Sequence, residues 1–281
     1  MMVLTPTSLP ELYDALALSG ARALAGGTDL LVRLRTEARR GENEPTTLVR
    51  LDGVPELRGI SITAEGAVRL GACSTHAELL DDVAVRENLA PLGQALAELG
   101  SPAIRNMGTL GGNLCTASPA GDCLPPLTVL EAQVEIGGPA GLRRMPLAEF
   151  ITGPGCTRLE PGEAVLAVEA ALSDDFAVRH FEKVGRRGAL AIAVVSLAAL
   201  LKLDGRGRVA VARLAWGSVG PAVWRCPEAE AALLGVRPTL PALKRVAAIV
   251  RKRVSPIDDV RASAEYRREV AGNLLLRLAA L

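Results

Sequence analysis

Short apolar segments, separated by glycine, proline and polar turns, run through the first 175 residues of the chain. Their spacing predicts small units of alternating strands and helices. Leucines and alanines recur at helical spacing over residues 9–18, which predicts a helix capped by Thr7 or Ser8. Further helices are predicted over residues 30–39, 76–82, 88–99 and 146–150, and strands over residues 21–25, 47–51, 60–63, 67–72, 134–136, 142–145 and 165–171.

From Asp175 the pattern changes, with apolar strands first and helices last. Strands are predicted over residues 176–184, 190–203 and 209–218, with a hairpin turn at residues 204–207. Helices are predicted over residues 227–234, 240–254 and 262–281. This order is typical of an α+β domain in which helices cover one face of a sheet. We therefore predict an α+β chain of three units, over residues 1–56, 57–174 and 175–281.

The segment from Ile104 to Leu127 is unlike ordinary core or surface sequence. It holds four glycines, no aromatic residue, and a series of small polar side chains. Glycine allows positive φ angles and close backbone approach, so such a segment can lie along a large polar ligand. The alternative is a long surface loop, although long loops in compact domains are uncommon and usually functional.

A second glycine segment, Gly26-Gly27-Thr28-Asp29, stands between a predicted strand and a predicted helix. A strand, a glycine pair and a helix start commonly present free backbone N–H groups to an anion. Neither the G-x-G-x-x-G motif of dinucleotide-binding folds nor the phosphate-binding P-loop motif occurs in the chain.

Charge and composition exclude several classes of function. The 281 residues carry a formal net charge of +1 and only 2% aromatic residues, which argues against nucleic-acid binding and against a polybasic membrane surface. The longest apolar run, residues 189–201, is too short to span a bilayer, and the first residues do not resemble a signal peptide. Five cysteines without a C-x-x-C pair do not suggest a disulfide framework. We expect a cytoplasmic protein with no membrane insertion.

Candidate catalytic residues are few. His76 and His180 are the only histidines, and neither has a carboxylate or cysteine at metal-ligand spacing, so structural or surface roles are expected for both. Cys115 and Cys123 match no zinc pattern and are expected to be buried or half-buried free thiols. No nucleophile motif is present. The chain thus offers ligand binding with little acid–base machinery, as a cofactor-carrying subunit would need.

Several motifs, in order along the whole chain, resemble one family. This is the FAD-binding medium subunit of molybdenum hydroxylases, a group that includes bacterial xanthine dehydrogenases and carbon monoxide dehydrogenases. The motifs that carry the resemblance are A-G-G-T-D-L at residues 25–30, R-N at 105–106, T-L-G-G-N at 109–113, A-S-P-A-G-D at 117–122, F-E-K-V-G-R-R at 181–187, L-A-W-G-S-V-G at 214–220 and R-A-S-A-E-Y-R at 261–267.

The resemblance implies a fold of the vanillyl-alcohol-oxidase (PCMH) type. Two N-terminal subdomains would hold FAD between them, and a C-terminal domain would cover the flavin. It also implies a large molybdenum-cofactor subunit and a small [2Fe–2S] subunit as partners, in a dimer of heterotrimers. Electrons would pass from the [2Fe–2S] subunit through FAD to NAD⁺, a quinone or another acceptor. No metal cluster and no catalytic residue are expected in this chain.

The resemblance also assigns candidate FAD-binding residues. The first glycine segment would lie on the adenine–pyrophosphate side, the second would continue the phosphate cradle, and Thr116 and Asp122 would bond the ribityl or pyrophosphate region. Asp29 is expected to cap local amides, and Lys183 either places positive charge near the flavin ring or is an ordinary surface cation. The full set is Ala25, Gly26, Gly27, Thr28, Asp29, Leu30, Thr109, Leu110, Gly111, Gly112, Asn113, Thr116, Ser118, Gly121, Asp122 and Lys183.

Two other functions remain open at this point. One is a self-contained FAD-dependent oxidoreductase of the same fold, which would need its own substrate pocket with an acid and a base. The other is a cofactor-free interaction protein in which the glycines only make turns. A β-branched residue at Gly111 or Gly112 is expected to abolish FAD binding and leave the core folded, because it blocks close backbone approach.

Overall fold

A three-stranded parallel sheet forms the first unit. The computed structural model describes residues 1–40, 46–173 and 175–280, and its first strands pair in the order β1-β3-β2. Parallel strands need crossover connections, and a helix follows each of the first two strands. The elements are β1 (Met2–Leu4), α1 (Leu9–Leu16), β2 (Ala21–Leu24), α2 (Leu30–Arg39) and β3 (Thr47–Arg50).

The predicted cap of α1 is wrong in its chemistry. Ser8 holds the N-cap position, but its side chain makes no capping hydrogen bond. Instead the Glu11 carboxylate accepts hydrogen bonds from the Thr7 backbone N–H (2.8 Å) and the Thr7 hydroxyl (3.0 Å). The Glu11 side chain, in the first turn of α1, therefore accepts the hydrogen bonds of the residue that leads into the helix.

A five-stranded antiparallel sheet, in the order β4-β5-β10-β6-β7, forms the second unit. Its inner face packs against the helices that follow β5, and the shared core is rich in leucine. Its elements are β4 (Ile60–Ile62), β5 (Val68–Gly71), α3 (His76–Asp81), α4 (Val83–Asn88), α5 (Ala90–Glu98), α6 (Pro102–Met107), α7 (Leu110–Thr116), α8 (Leu124–Val129), β6 (Gln133–Gly138), β7 (Gly141–Pro146), α9 (Leu147–Phe150), β8 (Ile151–Gly153), β9 (Cys156–Thr157) and β10 (Ala164–Ala170).

The glycine-rich segment from Ile104 to Leu127 is largely helical, and neither a bare strip of backbone nor a surface loop describes it. It contains the end of α6, all of α7 and the start of α8. The Thr109 side chain caps α7, and the side chains of Leu110 and Leu114, one helical turn apart, are fully buried. Because glycines are frequent in this segment, the helical spacing of its leucines did not predict a helix.

A four-stranded antiparallel sheet, in the order β11-β12-β13-β14, forms the third unit. Residues alternate along β12, so that Leu197 and Leu201 pack under the C-terminal helices while Ala198 and Leu200 join the core of the second unit. Both faces of this sheet are therefore covered. The elements are β11 (Val178–Val184), β12 (Val195–Leu203), β13 (Val209–Gly217), β14 (Trp224–Arg225), α10 (Pro227–Leu233), α11 (Leu240–Arg253) and α12 (Ala264–Arg277).

Two predicted elements differ from the structure. The strand predicted over residues 190–203 begins only at Val195, because the chain is irregular from Gly185 and Leu190 has a φ of 55°. The helix predicted over residues 88–99 begins at Ala90 as α5, since Asn88 is the last residue of the separate helix α4. The last residue of the predicted helix 262–281 lies outside the described residues. No helix in the described ranges is long and apolar enough to cross a membrane.

A buried arginine in α12 holds the irregular segment in place. The Arg267 guanidinium is 3% exposed and donates hydrogen bonds to the carbonyl oxygens of Val194 (3.0 Å) and Ser218 (2.7 Å), and to the Asp259 carboxylate (2.6 Å). The Ser218 N–H in turn donates to the Pro119 carbonyl of the second unit (2.8 Å). This cluster joins the third unit to the second glycine segment.

The Asp259 carboxylate is expected to make the free energy of unfolding fall at low pH. Burial opposes its ionisation, but the Arg261 and Ala262 N–H groups and the Arg267 guanidinium lower its pKa to about 2. Because the pKa of Asp259 is lower in the folded than in the unfolded chain, its ionised carboxylate stabilises the fold fully above about pH 4. This stabilisation is lost as the pH falls through about 2. Asp259→Asn should therefore lower the free energy of unfolding at neutral pH, and the difference from wild type should vanish in acid.

Urea unfolding across this pH range measures the effect. Asp14→Asn, at an exposed position on α1, is the control and should match wild type throughout. A difference between Asp259→Asn and wild type that stays constant down to about pH 2 would contradict the assignment.

Candidate functional site

A cavity of about 560 Å³ lies where the first glycine turn, α7 and the irregular segment after β11 meet. The structure brings 14 of the 16 predicted residues to its wall. Leu110 is absent because its side chain is fully buried in the core, and Lys183 lines an adjoining groove. The predicted residues that line the cavity are Ala25, Gly26, Gly27, Thr28, Asp29, Leu30, Thr109, Gly111, Gly112, Asn113, Thr116, Ser118, Gly121 and Asp122.

The first glycine turn packs directly on the second glycine segment. A Cβ atom on Gly26 would overlap the Met107 carbonyl oxygen at the end of α6, so only glycine fits there. Gly27 has a φ of 71°, in the left-handed region that favours glycine, and turns the chain from β2 into α2. The two segments, about 80 residues apart in sequence, therefore form one wall of the cavity.

The first turn supplies free backbone donors. The N–H groups of the five residues from Gly26 to Leu30 have no acceptor within the described part of the chain. They lie at the N-terminal end of α2, where the helix dipole adds a positive potential. This arrangement confirms the predicted succession of strand, glycine pair and helix start, and it suits an anionic group such as a phosphate.

The second segment does not supply such donors at its helix start. The N–H groups of Leu110 and Gly111 donate to the carbonyl oxygens of Ser74 (3.1 Å) and Ala72 (2.8 Å), and the Gly112 N–H donates to the Thr109 hydroxyl (3.1 Å). The start of α7 is thus bonded to protein. The start of α7 therefore lines the cavity with side-chain-free backbone, but it offers no row of free amides.

The two glycines of α7 differ in what they contact. A Cβ on Gly111 would lie 2.8 Å from the Ala72 Cβ and 2.9 Å from its carbonyl oxygen, whereas one on Gly112 would meet only the Thr109 hydroxyl at 2.9 Å. A valine at Gly111 would therefore disturb the packing of α7 on β5. For Gly111 this geometry argues against the expectation that the core stays folded, whereas for Gly112 the expectation stands as a prediction.

Asp29 does not cap local amides, so that expectation is wrong. It occupies the N-cap position of α2 without a side-chain capping bond. Its carboxylate instead accepts a hydrogen bond from the Thr116 hydroxyl (3.0 Å) at the end of α7. The aspartate thereby connects the first glycine turn to the C-terminal end of α7.

Asp122 and Lys183 form a buried ion pair at the edge of the cavity. The Lys183 ammonium donates to the Asp122 carboxylate (2.7 Å) and to the Glu98 carbonyl oxygen (2.8 Å), and both charged side chains are at most 10% exposed. Burial raises the pKa of Asp122, although Lys183 opposes this shift. Lys183 is therefore not an ordinary surface cation; it joins the third unit to the loop after α7.

Unpartnered polar atoms concentrate at this cavity. In the described ranges, five buried side-chain nitrogen or oxygen atoms have no hydrogen-bond partner, and three of them belong to cavity residues: His76 Nδ1, Asn113 Oδ1 and Asp122 Oδ1. Buried polar groups are almost always paired in proteins, so these atoms indicate a polar ligand. Together with the free amides, this donor and acceptor set fits a dinucleotide with phosphate and hydroxyl groups.

The cavity wall also contains residues outside the predicted set, and two of them, His76 and Cys115, had been assigned other roles. His76 was expected to be structural or on the surface, yet it lines the wall. Cys115 is exposed to the cavity rather than buried, which corrects the expectation for it, whereas Cys123 is buried as predicted. His180 lies outside the cavity, 3.3 Å from the Glu182 carboxylate. Among the described residues, no group of three or more His, Cys, Asp or Glu side chains could hold a metal ion.

Family models match nearly the whole chain. The model of the FAD binding domain in molybdopterin dehydrogenase matches residues 1–170, which include the cavity's two glycine segments. The model of the CO dehydrogenase flavoprotein C-terminal domain matches residues 179–280. The chain belongs to the FAD-binding subunits of molybdenum hydroxylases.

Relatives and solved structures agree with this assignment. The FAD-binding subunit is 33% identical over 249 residues to the xanthine dehydrogenase FAD-binding subunit of Escherichia coli O157:H7, covering 88% of this chain and 83% of the relative. It superposes on quinoline 2-oxidoreductase from Pseudomonas putida 86 with a TM-score of 0.92 and 31% identity, covering 100% and 95% of the two chains. CO dehydrogenase from Oligotropha carboxidovorans gives a TM-score of 0.91 and 28% identity over 99% and 95%.

These matches confirm FAD as the cofactor and an oxidoreductase subunit of the xanthine and CO dehydrogenase type. The FAD-binding subunit has the α+β architecture expected from its sequence. The cavity, with its free amides and unpartnered polar atoms, has a chemistry that fits that cofactor.

Proposed function

We propose that this chain is the electron-transfer subunit of a molybdenum-containing hydroxylase or dehydrogenase. FAD bound in the cavity would supply the redox chemistry, taking electrons from [2Fe–2S] clusters of a partner subunit and passing them to NAD⁺, a quinone or another acceptor. The observation that carries this proposal is the single cavity formed by both glycine segments, with its free amides and unpartnered polar atoms. The chain's own task is to bind and orient the cofactor.

The proposed fold is of the vanillyl-alcohol-oxidase (PCMH) type. Residues 1–56 and 57–174 would be the two FAD-binding subdomains, and residues 175–281 the domain that covers the flavin. Support comes from three separate hydrophobic cores, most of whose residues follow this division, and from the Leu190–Ile192 segment, which lines the cavity from the third unit.

The cavity residues would hold the cofactor in two ways. The free N–H groups from Gly26 to Leu30 would donate hydrogen bonds to the phosphates, which stabilises their charge without ordering long cationic side chains. Asn113 Oδ1 and Asp122 Oδ1 would accept hydrogen bonds from hydroxyl or ring N–H groups, because both are buried acceptors without partners. Lys183, from the adjoining groove, would act through Asp122 by holding that carboxylate at the edge of the cavity.

The proposed partners are a large molybdenum-cofactor subunit and a small [2Fe–2S] subunit, in a dimer of heterotrimers in the cytoplasm. The relatives support a multi-subunit enzyme, since the matched proteins include the medium chain of carbon monoxide dehydrogenase from Hydrogenophaga pseudoflava and the medium subunit of nicotine 6-hydroxylase from Paenarthrobacter nicotinovorans. Substrate oxidation would then take place on another subunit.

A self-contained oxidoreductase would need acid–base groups beside the flavin. The cavity wall, in the described part of the chain, contains one histidine, no tyrosine, and three carboxylates that are each bonded within the protein: Asp29 to Thr116, Asp122 to Lys183 and Glu163 to Arg143. Burial lowers the pKa of that histidine, His76, to about 4, so it is a poor base at neutral pH. The cavity therefore favours cofactor holding over substrate chemistry.

The test is to compare the chain alone with the chain recovered together with its partners from the native host. The isolated chain should take up one FAD and show flavin absorption bands, but should not oxidise xanthine, an aldehyde, nicotinate or CO. The recovered complex should contain molybdenum and iron and should oxidise one such substrate class. Oxidation of a small substrate by the FAD-loaded chain alone would contradict the subunit role.

A further inference from the structure

His76 is held rigidly between α3 and the second glycine segment. Thr75 and Glu78 form a capping box at the start of α3, which fixes the backbone of the histidine between them. The His76 N–H donates to the Gly108 carbonyl oxygen (2.9 Å), and a Cβ on Gly108 would lie 3.0 Å from the imidazole Cδ2. The ring therefore lies directly against the backbone that forms the cavity wall.

The surroundings of the imidazole ring leave part of its hydrogen-bonding capacity unused. His76 is 3% exposed, and its Nδ1 is buried without any hydrogen-bond partner in the ranges described. Burial is the main cause that lowers its pKa to about 4; Arg105 also lowers it and Asp29 raises it. At neutral pH the imidazole is thus uncharged, with one nitrogen that donates and one that accepts. A histidine that served only the core would be expected to bond both.

We propose that His76 is an FAD-binding residue whose imidazole hydrogen-bonds the phosphate region of the bound cofactor. Three features favour the phosphates. The ring borders the cavity beside Gly108. Gly108 itself lies against the first glycine turn, because a Cβ on Gly26 would be 3.0 Å from the Gly108 Cα, and that turn carries the free N–H groups suited to an anion. This inference rests on FAD binding in the cavity and is independent of the electron-transfer role.

The test is His76→Phe, which keeps a flat ring of similar size and removes both nitrogens. The dissociation constant for FAD should rise about 10- to 100-fold, as expected for loss of one hydrogen bond to a charged group. Without FAD, the variant should be as resistant to urea as wild type or more so, because an unpartnered buried polar group has been replaced by an apolar one. A purely structural histidine predicts the reverse: loss of stability and unchanged FAD affinity.

Two controls make the result specific. His180→Phe changes the other histidine, which lies outside the cavity, and should leave FAD affinity unchanged. ADP, which keeps the phosphates, should bind more weakly to His76→Phe by a similar factor, while riboflavin, which lacks them, should bind as it does to wild type. Equal weakening of riboflavin, or wild-type affinity for FAD, would overturn the assignment.

A second measurement covers the case in which His76→Phe does not fold. The imidazole nitrogens of wild type can be followed by ¹⁵N NMR with and without FAD. The His76 resonances should shift on FAD addition and those of His180 should not. Unchanged His76 resonances in an FAD-saturated chain would overturn the proposal, whereas failure of wild type to take up FAD would instead overturn the cofactor site itself.

Discussion

Gly26→Ala is expected to raise the dissociation constant for FAD by on the order of 100-fold. The added Cβ overlaps the Met107 carbonyl oxygen, so the first glycine turn must move away from α6. Forcing one methyl group into a packed site typically costs about 1–3 kcal/mol, and here the displaced group is the backbone that carries the free amides. Titration with FAD, followed by flavin fluorescence, measures the effect.

Gly205→Ala is the matched control. Gly205 lies in the turn between β12 and β13, where an added Cβ would meet nothing within 4 Å. It should bind FAD like wild type, and both variants should keep the circular dichroism spectrum of a folded chain. A Gly26→Ala variant with wild-type affinity would show that the contact between the two glycine segments does not shape the cofactor site.

Lys183→Met is expected to lower the free energy of unfolding by about 3–5 kcal/mol. It leaves the Asp122 carboxylate buried without its cation, and breaking one side of a buried ion pair commonly costs that much. The Glu98 carbonyl also loses a donor. Urea unfolding of the FAD-free chain at neutral pH gives the number.

The double variant Asp122→Asn/Lys183→Met distinguishes the cost of an unpaired buried charge from the cost of losing the lysine side chain itself. Because it removes both charges, it should recover most of the stability that Lys183→Met loses. Lys202→Met, which removes one partner of an exposed ion pair with Asp175, should cost about 1 kcal/mol or less. Equal costs for Lys183→Met and Lys202→Met would contradict a buried, coupled pair.

The sequence predicted the first half of the site well because its signals are local. A strand, a glycine pair and a helix start follow one another within ten residues, and each is specified by neighbours in sequence. The confirmed elements β2 and α2 and the free amides of Gly26 to Leu30 follow from that pattern.

The second half was predicted less well because its contacts are distant in sequence. Only glycine fits at position 111 because Ala72 packs against its backbone. Asp29, at the start of α2, accepts a hydrogen bond from Thr116, at the end of α7. No local pattern contains these pairings. The composition of residues 104–127 suggested a bare stretch of backbone or a loop, whereas buried leucines in α7 make the middle of the segment helical.

His76 and the segment after β11 show the same limit. A histidine next to a capping threonine reads as an ordinary helix start, and only the tertiary structure brings its ring to the cavity. The apolar run of residues 190–203 predicted one long strand, but β12 begins only at Val195, where Arg267, far along the chain, binds the Val194 carbonyl oxygen.

Amide hydrogen exchange of the full chain, with and without FAD, tests the position of the cofactor most directly. The N–H groups of Gly26, Gly27, Thr28, Asp29 and Leu30 have no acceptor in the described structure, so they should exchange rapidly in the FAD-free chain. Saturation with FAD should slow their exchange strongly and leave the hairpin turn at residues 204–207 unchanged. FAD binding that protects other segments and leaves residues 26–30 exchanging rapidly would contradict the proposed cofactor site.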